Sequence, residues 1–321
     1  MRLEQLQLMQ TLATCGSLRA AARALSVSQP ALTKALRQLE EEFGTSLVMR
    51  LPKGVRLTPA GTLVAARAAT VVREIDRARE DVAWQLRHTA SNVAISVSPA
   101  AAIAVLPGAL ARVRSRWPQV RVQVLDAVYP RAFTMLRAGE VDISVGPLPA
   151  GGADRDLRVQ PLFDVQQVLV VRPGNPLMHA RTLAELQHAD WVVAGPTAGP
   201  GDPAHLGFDE RGLPSPMACV TCESFSTLLA LLPSVDAIAI MPEVFHTAYA
   251  APRGLVRLPI QDPLPLVTVH AAWRADSLLS APASYLLDAL EQEAAVCRRG
   301  AQANYRVPEK LNSPSVPKAE S

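Results

Sequence analysis

The chain has 321 residues, 49% hydrophobic and only 4% aromatic, enough for two or three domains whose cores are built from Ala, Val and Leu. It contains no run of about 18 uncharged apolar residues, so no transmembrane helix and no membrane partner are expected. The net charge of +3 hides an asymmetry: residues 1–90 carry 13 Lys/Arg against 8 Asp/Glu, and residues 91–300 carry 16 against 19. A basic N-terminal portion suits a nucleic-acid partner, although a charge run alone is more often a solvated face. The N-terminus MRLEQLQLMQ sets Glu4 among leucines and lacks a signal-peptide pattern, so a cytoplasmic protein is expected.

Leu3, Leu6, Met9, Leu12 and Ala13 have helical spacing and Cys15-Gly16 ends the run. Ser17 caps a second short helix, and after the turn Ser26-Val27, Ser28 caps a third with Pro30 near its first position. The third helix carries an apolar stripe of Ala31-Leu32, Ala35-Leu36, Leu39 and Phe43 and turns Gln29, Thr33, Lys34 and Arg37 to the opposite face. Two short helices with polar and basic groups near the start of the second make a helix-turn-helix. Gln pairs with adenine and Arg or Lys with guanine in the major groove of double-stranded DNA. A wing follows: Leu47–Arg50, a turn at Pro52-Lys53-Gly54, then Val55–Thr58, with Lys53 at the tip in reach of a phosphate. The alternative is an ordinary three-helix bundle with a hairpin.

Thr58 and Pro59 open a long helix that runs to about residue 88. Val64, Ala68, Val71, Ile75, Ala78 and Val82 are spaced 4, 3, 4, 3, 4, an a/d seam that predicts dimerisation; docking on its own chain is the alternative. Beyond residue 90, strand-like runs (93–97, 120–125, 141–145, 168–171, 191–194, 237–240, 267–272) alternate with helical ones (101–116, 130–138, 203–211, 224–232, 280–297). This predicts α/β architecture with largely parallel sheets. Ligands of such sheets bind beyond the carboxyl ends of strands. The candidate loops are Ser98-Pro99-Ala100, Tyr129-Pro130, Gly146-Pro147, 194–201 and 223–225. Ser98, at a helix start, offers an anion N–H donors and a dipole, though a capping serine without ligand is equally common. The tail is polar and reads as disordered.

Cys219 and Cys222 form a C-x-x-C, which can serve a redox sensor, but no second Cys pair or H-x-x-x-H accompanies it and two small buried side chains are the simpler reading. No G-x-S-x-G, H-E-x-x-H or phosphate-loop motif occurs and the histidines are scattered, so neither an enzyme nor a metal or other cofactor is expected.

The run GSLRAAARALSVSQPALTKALRQLEEEFGTSLVMR followed by LTPAG closely resembles the LysR-type transcriptional regulators. The matching residues include Gly16-Ser17, Ala21-Ala22, Ser28-Gln29-Pro30-Ala31, Leu39-Glu40, Gly44, Arg50 and Ala60-Gly61; Met49 departs from an aromatic common in the family. The segments SVSPAAA, VYP, LAELQ and CESF are similar to those of regulators of aromatic sulfonate and sugar-acid catabolism. The resemblance implies a winged helix-turn-helix over 1–58 and a dimerising linker helix over 59–90. A two-lobed effector domain like the periplasmic binding proteins follows over 91–298, with lobe 1 at 91–162 and 267–298 and lobe 2 at 163–266, then a tail over 299–321. It implies a homodimer or homotetramer on a promoter inverted repeat, contact with RNA polymerase, and a small organic anion as co-inducer. Ser28, Gln29, Pro30, Thr33, Lys34 and Arg37 would face DNA, with Arg50 and Lys53 near its backbone. Ser98, Pro99, Ala100, Tyr129, Gly146, Pro147, Pro196, Thr197 and Phe225 would surround the effector. An exported-type solute-binding protein with an accessory module remains the alternative, disfavoured by the missing signal peptide.

Overall fold

The computed structural model describes residues 1–52, 54–87, 92–149, 151–195, 199 and 202–304; Lys53, Pro196, Thr197 and most of the expected tail fall outside this set. Helices α1 (Leu3–Cys15), α2 (Leu18–Ala24) and α3 (Gln29–Phe43) start and stop at their local signals. Gly16 (φ 61°) and Gly44 (φ 64°) close α1 and α3. Ser17 Oγ accepts from the Ala20 N–H and Ser28 Oγ from the Ala31 N–H. Leu6, Met9 and Leu12 of α1 meet Ala21, Leu32, Leu36 and Leu39 in one core.

Strands β1 (Val48–Leu51) and β2 (Gly54–Leu57) pair antiparallel as the wing. Glu40 Oε1 accepts from the N–H groups of Leu47 and Val48 at 2.8 and 3.3 Å, so α3 holds the wing by its base. The Val55 N–H donates to the Gly16 carbonyl at 2.9 Å, and a Cβ at Gly54 would stand 2.5 Å from that same oxygen. Helix α4 (Pro59–Arg87) begins at Thr58, whose Oγ1 accepts from the Gly61 N–H at 3.0 Å.

Gly61, Ala65, Ala68 and Val72 are buried on the face of α4 that packs on α1. The expected seam therefore splits. Ala68 is only 1% exposed within its own chain, and Val64 packs at the edge of the same core. Val71, Ala78 and Val82 stay exposed and Ile75 half-buried, a 4, 3, 4 track that the chain leaves open.

The rest of the chain contributes β3 (Asn92–Val97), α5 (Pro99–Ala104), α6 (Leu106–Arg116), β4 (Arg121–Asp126), α7 (Arg131–Ala138), β5 (Ile143–Pro147) and β6 (Leu157–Val171). It continues with β7 (Asp190–Ala194), β8 (Ala218–Cys222), α8 (Phe225–Leu231), β9 (Ala237–Pro242), α9 (Glu243–Phe245), β10 (Val256–Arg257), β11 (Leu266–Arg274) and α10 (Ala281–Asn304). Their order in the sheet is β4-β3-β5-β11-β6-β9-β7-β8, with β10 on β6. The trios β4-β3-β5 and β9-β7-β8 are parallel, as the alternation predicts. The strands joining them, β11 and β6, run antiparallel to their neighbours. β6 pairs with β11 up to Gln166 and with β9 from Gln167, so the chain passes between lobes at that point and returns at Leu266. Each lobe packs apolar side chains on both sheet faces, α6 and α10 covering one face of the first and Trp191 and Phe208 anchoring one face of the second.

Some elements differ from expectation. The helix expected over 101–116 breaks at Val105, because Pro107 has no N–H to continue the ladder. The segment 203–211 forms two 3-10 turns around Gly207 (φ 75°). The strand expected at 168–171 is the end of a 15-residue strand. Pro161 enters that strand beside a bulge opposite Val269 and His270, where no donor is needed.

Candidate functional site

The outer face of α3 is open. Ser28, Gln29, Pro30, Lys34 and Arg37 are exposed; Thr33 is half-buried and its hydroxyl donates to the Gln29 carbonyl at 2.9 Å. Arg19 and Arg23 on α2 and Arg50 and Arg56 on the wing are exposed too. None of these six cations, Lys34 and Arg37 among them, pairs with a carboxylate among the described residues. The acids of α3 lie in its last turns, where Glu40 holds the wing and Glu42 pairs with the N-terminal amine at 2.8 Å. Positive charge thus gathers on α3 ahead of its acidic last turns, toward the end that enters a groove. Elsewhere several arginines pair with carboxylates, Arg112 with Glu293, Arg137 with Asp154 and Asp156, and Arg172 with Asp236 among them.

A cleft enclosing about 740 Å³ of empty space, open mouth included, lies where β6 and β11 cross between the lobes. Six of the nine effector residues expected from sequence line it: Ser98, Pro99, Ala100, Tyr129, Pro147 and Phe225. Gly146 stands behind the wall, where a Cβ would sit 3.4 Å from Ser98 Cβ; Pro196 and Thr197 lie outside the described residues. The sequence reading missed Val165, Gln167, Ile240, Val267 and Val269 on the crossing strands and β9, along with Val128, Leu148, Pro149 and Pro242. Tyr129 stacks edge-on against Phe133 at 5.4 Å between centroids, and Phe225 against Phe245 at 4.7 Å, so both aromatics are held from behind. Ser98 is buried; its N–H donates to the Val145 carbonyl and its Oγ accepts from the Ala101 N–H at 3.4 Å.

Residues 3–62 match the family of bacterial regulatory helix-turn-helix proteins of the lysR type, and residues 87–295 match the LysR substrate binding domain. The chain belongs to the LysR family. It is 24% identical over 298 residues to the HTH-type transcriptional regulator TdcA of Escherichia coli K12, covering 92% of this chain and 95% of that protein. It is 31% identical over 246 residues to the SDS degradation transcriptional activation protein of a Pseudomonas species, covering 75% and 78%. The structure of full-length CbnR complexed with its target DNA superposes with a TM-score of 0.67 at 18% identity, over 91% of this chain and all of that one. The protein is accordingly a DNA-binding transcription regulator with an effector-binding domain, and its relatives are regulators rather than enzymes.

In this LysR-family chain the linker helix touches the effector domain directly. Arg73 Nε donates to the Ala138 carbonyl at the end of α7 at 2.5 Å. Arg274, the last residue of β11, pairs with Glu74 and donates to Ser277 Oγ at 2.9 Å. Gly139 (φ 73°) gives the Arg274 guanidinium room; a Cβ there would lie 2.8 Å from Nη1.

The cysteines are free thiols. Cys219 Sγ donates to the Trp191 carbonyl and Cys222 Sγ to the Val193 carbonyl, both toward β7. Burial pushes the Cys222 thiol up from its ordinary value, the reverse of a reactive thiolate, which weighs against the redox-sensor alternative. No cluster of three or more potential metal ligands occurs among the described residues, and no helix among them is long and apolar enough to cross a membrane.

Proposed function

We propose that this protein reads a promoter inverted repeat through paired helix-turn-helix units and adjusts their spacing when a small organic effector occupies the cleft between its lobes. The observation that carries the DNA reading is the pair Lys34 and Arg37, without carboxylate partners among the described residues, on the open face of α3 ahead of its acidic last turns. In this reading Gln29, Lys34 and Arg37 meet base edges, and Arg50 and Lys53 meet the phosphate backbone. Two protomers pair through the open track Val71, Ile75, Ala78 and Val82, and two such dimers form the tetramer. An effector that favours one lobe arrangement shifts the population toward it, altering DNA bending and contact with RNA polymerase. A protein that reads chromosomal promoters works in the cytoplasm. The expected anionic effector has no guanidinium, ammonium or imidazole to meet among the described lining residues.

Quantitative footprinting on the promoter of its own or an adjacent gene tests the reading. Lys34→Ala and Arg37→Ala should each weaken binding by about 1–3 kcal/mol where a base contact is lost, with relaxed specificity there. Footprints unchanged in both variants would remove α3 as the reading helix.

A further inference from the structure

We propose that the cleft takes an uncharged, largely apolar organic molecule with one group that both donates and accepts a hydrogen bond, an amide or an alcohol, held by Gln167. This rests on the reading of the cleft as the effector site.

Charge comes first. No Arg, Lys, His, Asp or Glu is among the described residues that line the cleft. The loop 195–201 reads Gly-Pro-Thr-Ala-Gly-Pro-Gly, so its remaining residues bring no cation either. Backbone donors are few. At the start of α5, Pro99 has no N–H, the Ala101 N–H serves Ser98 Oγ and the Ala102 N–H serves the Ser98 carbonyl, which leaves the Ala100 N–H as the one donor of that turn. On the other lobe the Gly195 N–H serves the Cys222 carbonyl. An ionised carboxylate in this setting loses its water without gaining a counter-charge, whereas a neutral ligand escapes that penalty.

Gln167 supplies the positive half of the inference. It lies on β6 at the crossing between lobes and lines the cleft, yet it is only 3% exposed. Its side-chain amide makes no hydrogen bond among the described residues. The neighbouring Gln166 amide donates to the Gln167 backbone carbonyl and does not serve the side chain. Buried amides are almost always paired. One that faces a cleft walled by Val165, Ile240, Val267 and Val269 wants a ligand group offering both a donor and an acceptor. The apolar walls then take the ligand's hydrocarbon body.

Calorimetric titration of the full-length protein with matched probes, benzamide against benzoate and hexanamide against hexanoate at neutral pH, tests this. The amides should bind at least about tenfold tighter than their carboxylates, and Gln167→Met should cut amide affinity by roughly tenfold. Gln167→Glu, of the same shape, should cut it as well; circular dichroism melting shows that each variant is folded. Carboxylates binding as tightly as amides, amide affinity unchanged in both variants, or no binding by either series overturns the proposal. Leu148→Trp, which fills the half-buried mouth, separates the two levels. Carboxylate binding that this variant abolishes keeps the effector site in the cleft and removes only the uncharged class. Binding that survives it lies elsewhere and removes both.

Discussion

Gly61→Ala sets two known effects against each other, and their sizes decide the outcome. Gly61 sits in the first turn of α4, where alanine is the better helix former by about 1 kcal/mol. Propensity alone therefore makes the variant more stable. The Cβ, however, would lie 2.8 Å from the Leu47 carbonyl carbon and closer still to its oxygen. Ordinary carbon–carbon contacts are about 3.5–4.0 Å, so α4 must retreat by roughly 1 Å to clear the carbon and by more to clear the oxygen. Both obstructing atoms are backbone, so no side chain can rotate away. Leu47 is fully buried and its carbonyl also accepts the Thr58 N–H at 3.0 Å, so it cannot yield cheaply. Retreat of α4 lifts Ala65, Ala68 and Val72 off α1. Overpacking costs about 1–3 kcal/mol or more, and with only backbone left to yield the cost here is about 2–3 kcal/mol. The net expectation is a loss of about 1–2 kcal/mol, read from urea unfolding followed by circular dichroism. A variant as stable as the parent, or more so, refutes the close packing of α4 on the wing.

Three further outcomes follow. Val82→Glu should dissociate the dimer in sedimentation experiments, because it places a charge on the open track of α4; an unchanged mass places the dimer contact elsewhere. Arg274→Met should speed amide hydrogen exchange over the α4 segment around Glu74 by roughly tenfold, since a charge-assisted bond is worth about 1.5–3 kcal/mol and part of it survives in Arg73; an unchanged profile means the pairing does not hold the helix. Asp126 is exposed at its surface, yet partial burial of its carboxyl raises it above the ordinary value, against the opposing charge of Arg131. A folded value above the unfolded one favours the protonated native state, so its contribution is full below the ordinary aspartate range and is lost as pH rises through the raised value. Asp126→Asn should therefore flatten the fall in melting temperature across that window, and parallel pH profiles for the two proteins would contradict it.

The N-terminal elements were legible because each carries its own signal. Ser17, Ser28 and Thr58 cap helices by bonds to residues three positions on, and Gly16 and Gly44 close them within one turn. The seam on α4 was only half legible. Periodicity reveals an apolar stripe but not its partner, and the expected seam starts beside one 4, 3, 4 track, Gly61, Ala65, Ala68 and Val72 facing α1, and ends on another, Val71, Ile75, Ala78 and Val82 facing out. The cleft was legible at its rim, where Ser98, Tyr129 and Pro147 follow strand ends. It was illegible at its floor. Val165, Val267 and Val269 have the residue type and spacing of core, and nothing local separates a valine that meets another valine from one that meets a ligand. Gln167 reads as a polar break in QQVLVV; its burial depends on a crossing strand paired with segments 70 to 100 residues away.

Strand β11 connects these two incompletely legible regions. Val267 and Val269 line the cleft near its start, and Arg274, at its end, pairs with Glu74 on the linker helix. Seven residue steps at about 3.3 Å give roughly 23 Å between them. A strand paired with β6 along its whole length, and with β5 as well over Val269–Ala272, moves with its sheet rather than bending freely, and the one irregularity in that pairing, the β6 bulge opposite Val269 and His270, adjoins the cleft. A ligand that changes how the lobes close about β6 and β11 therefore acts on a stiff element whose far end grips α4. Glu74 is next to Ile75, within the open track proposed for dimer contact. Rotation of the effector domain about this grip would be felt at the dimer seam and, through the close packing of Gly61 on Leu47, at the wing. Loops are not the route: no loop lies between Val269 and Glu74 on this path, only a paired strand and one ion pair.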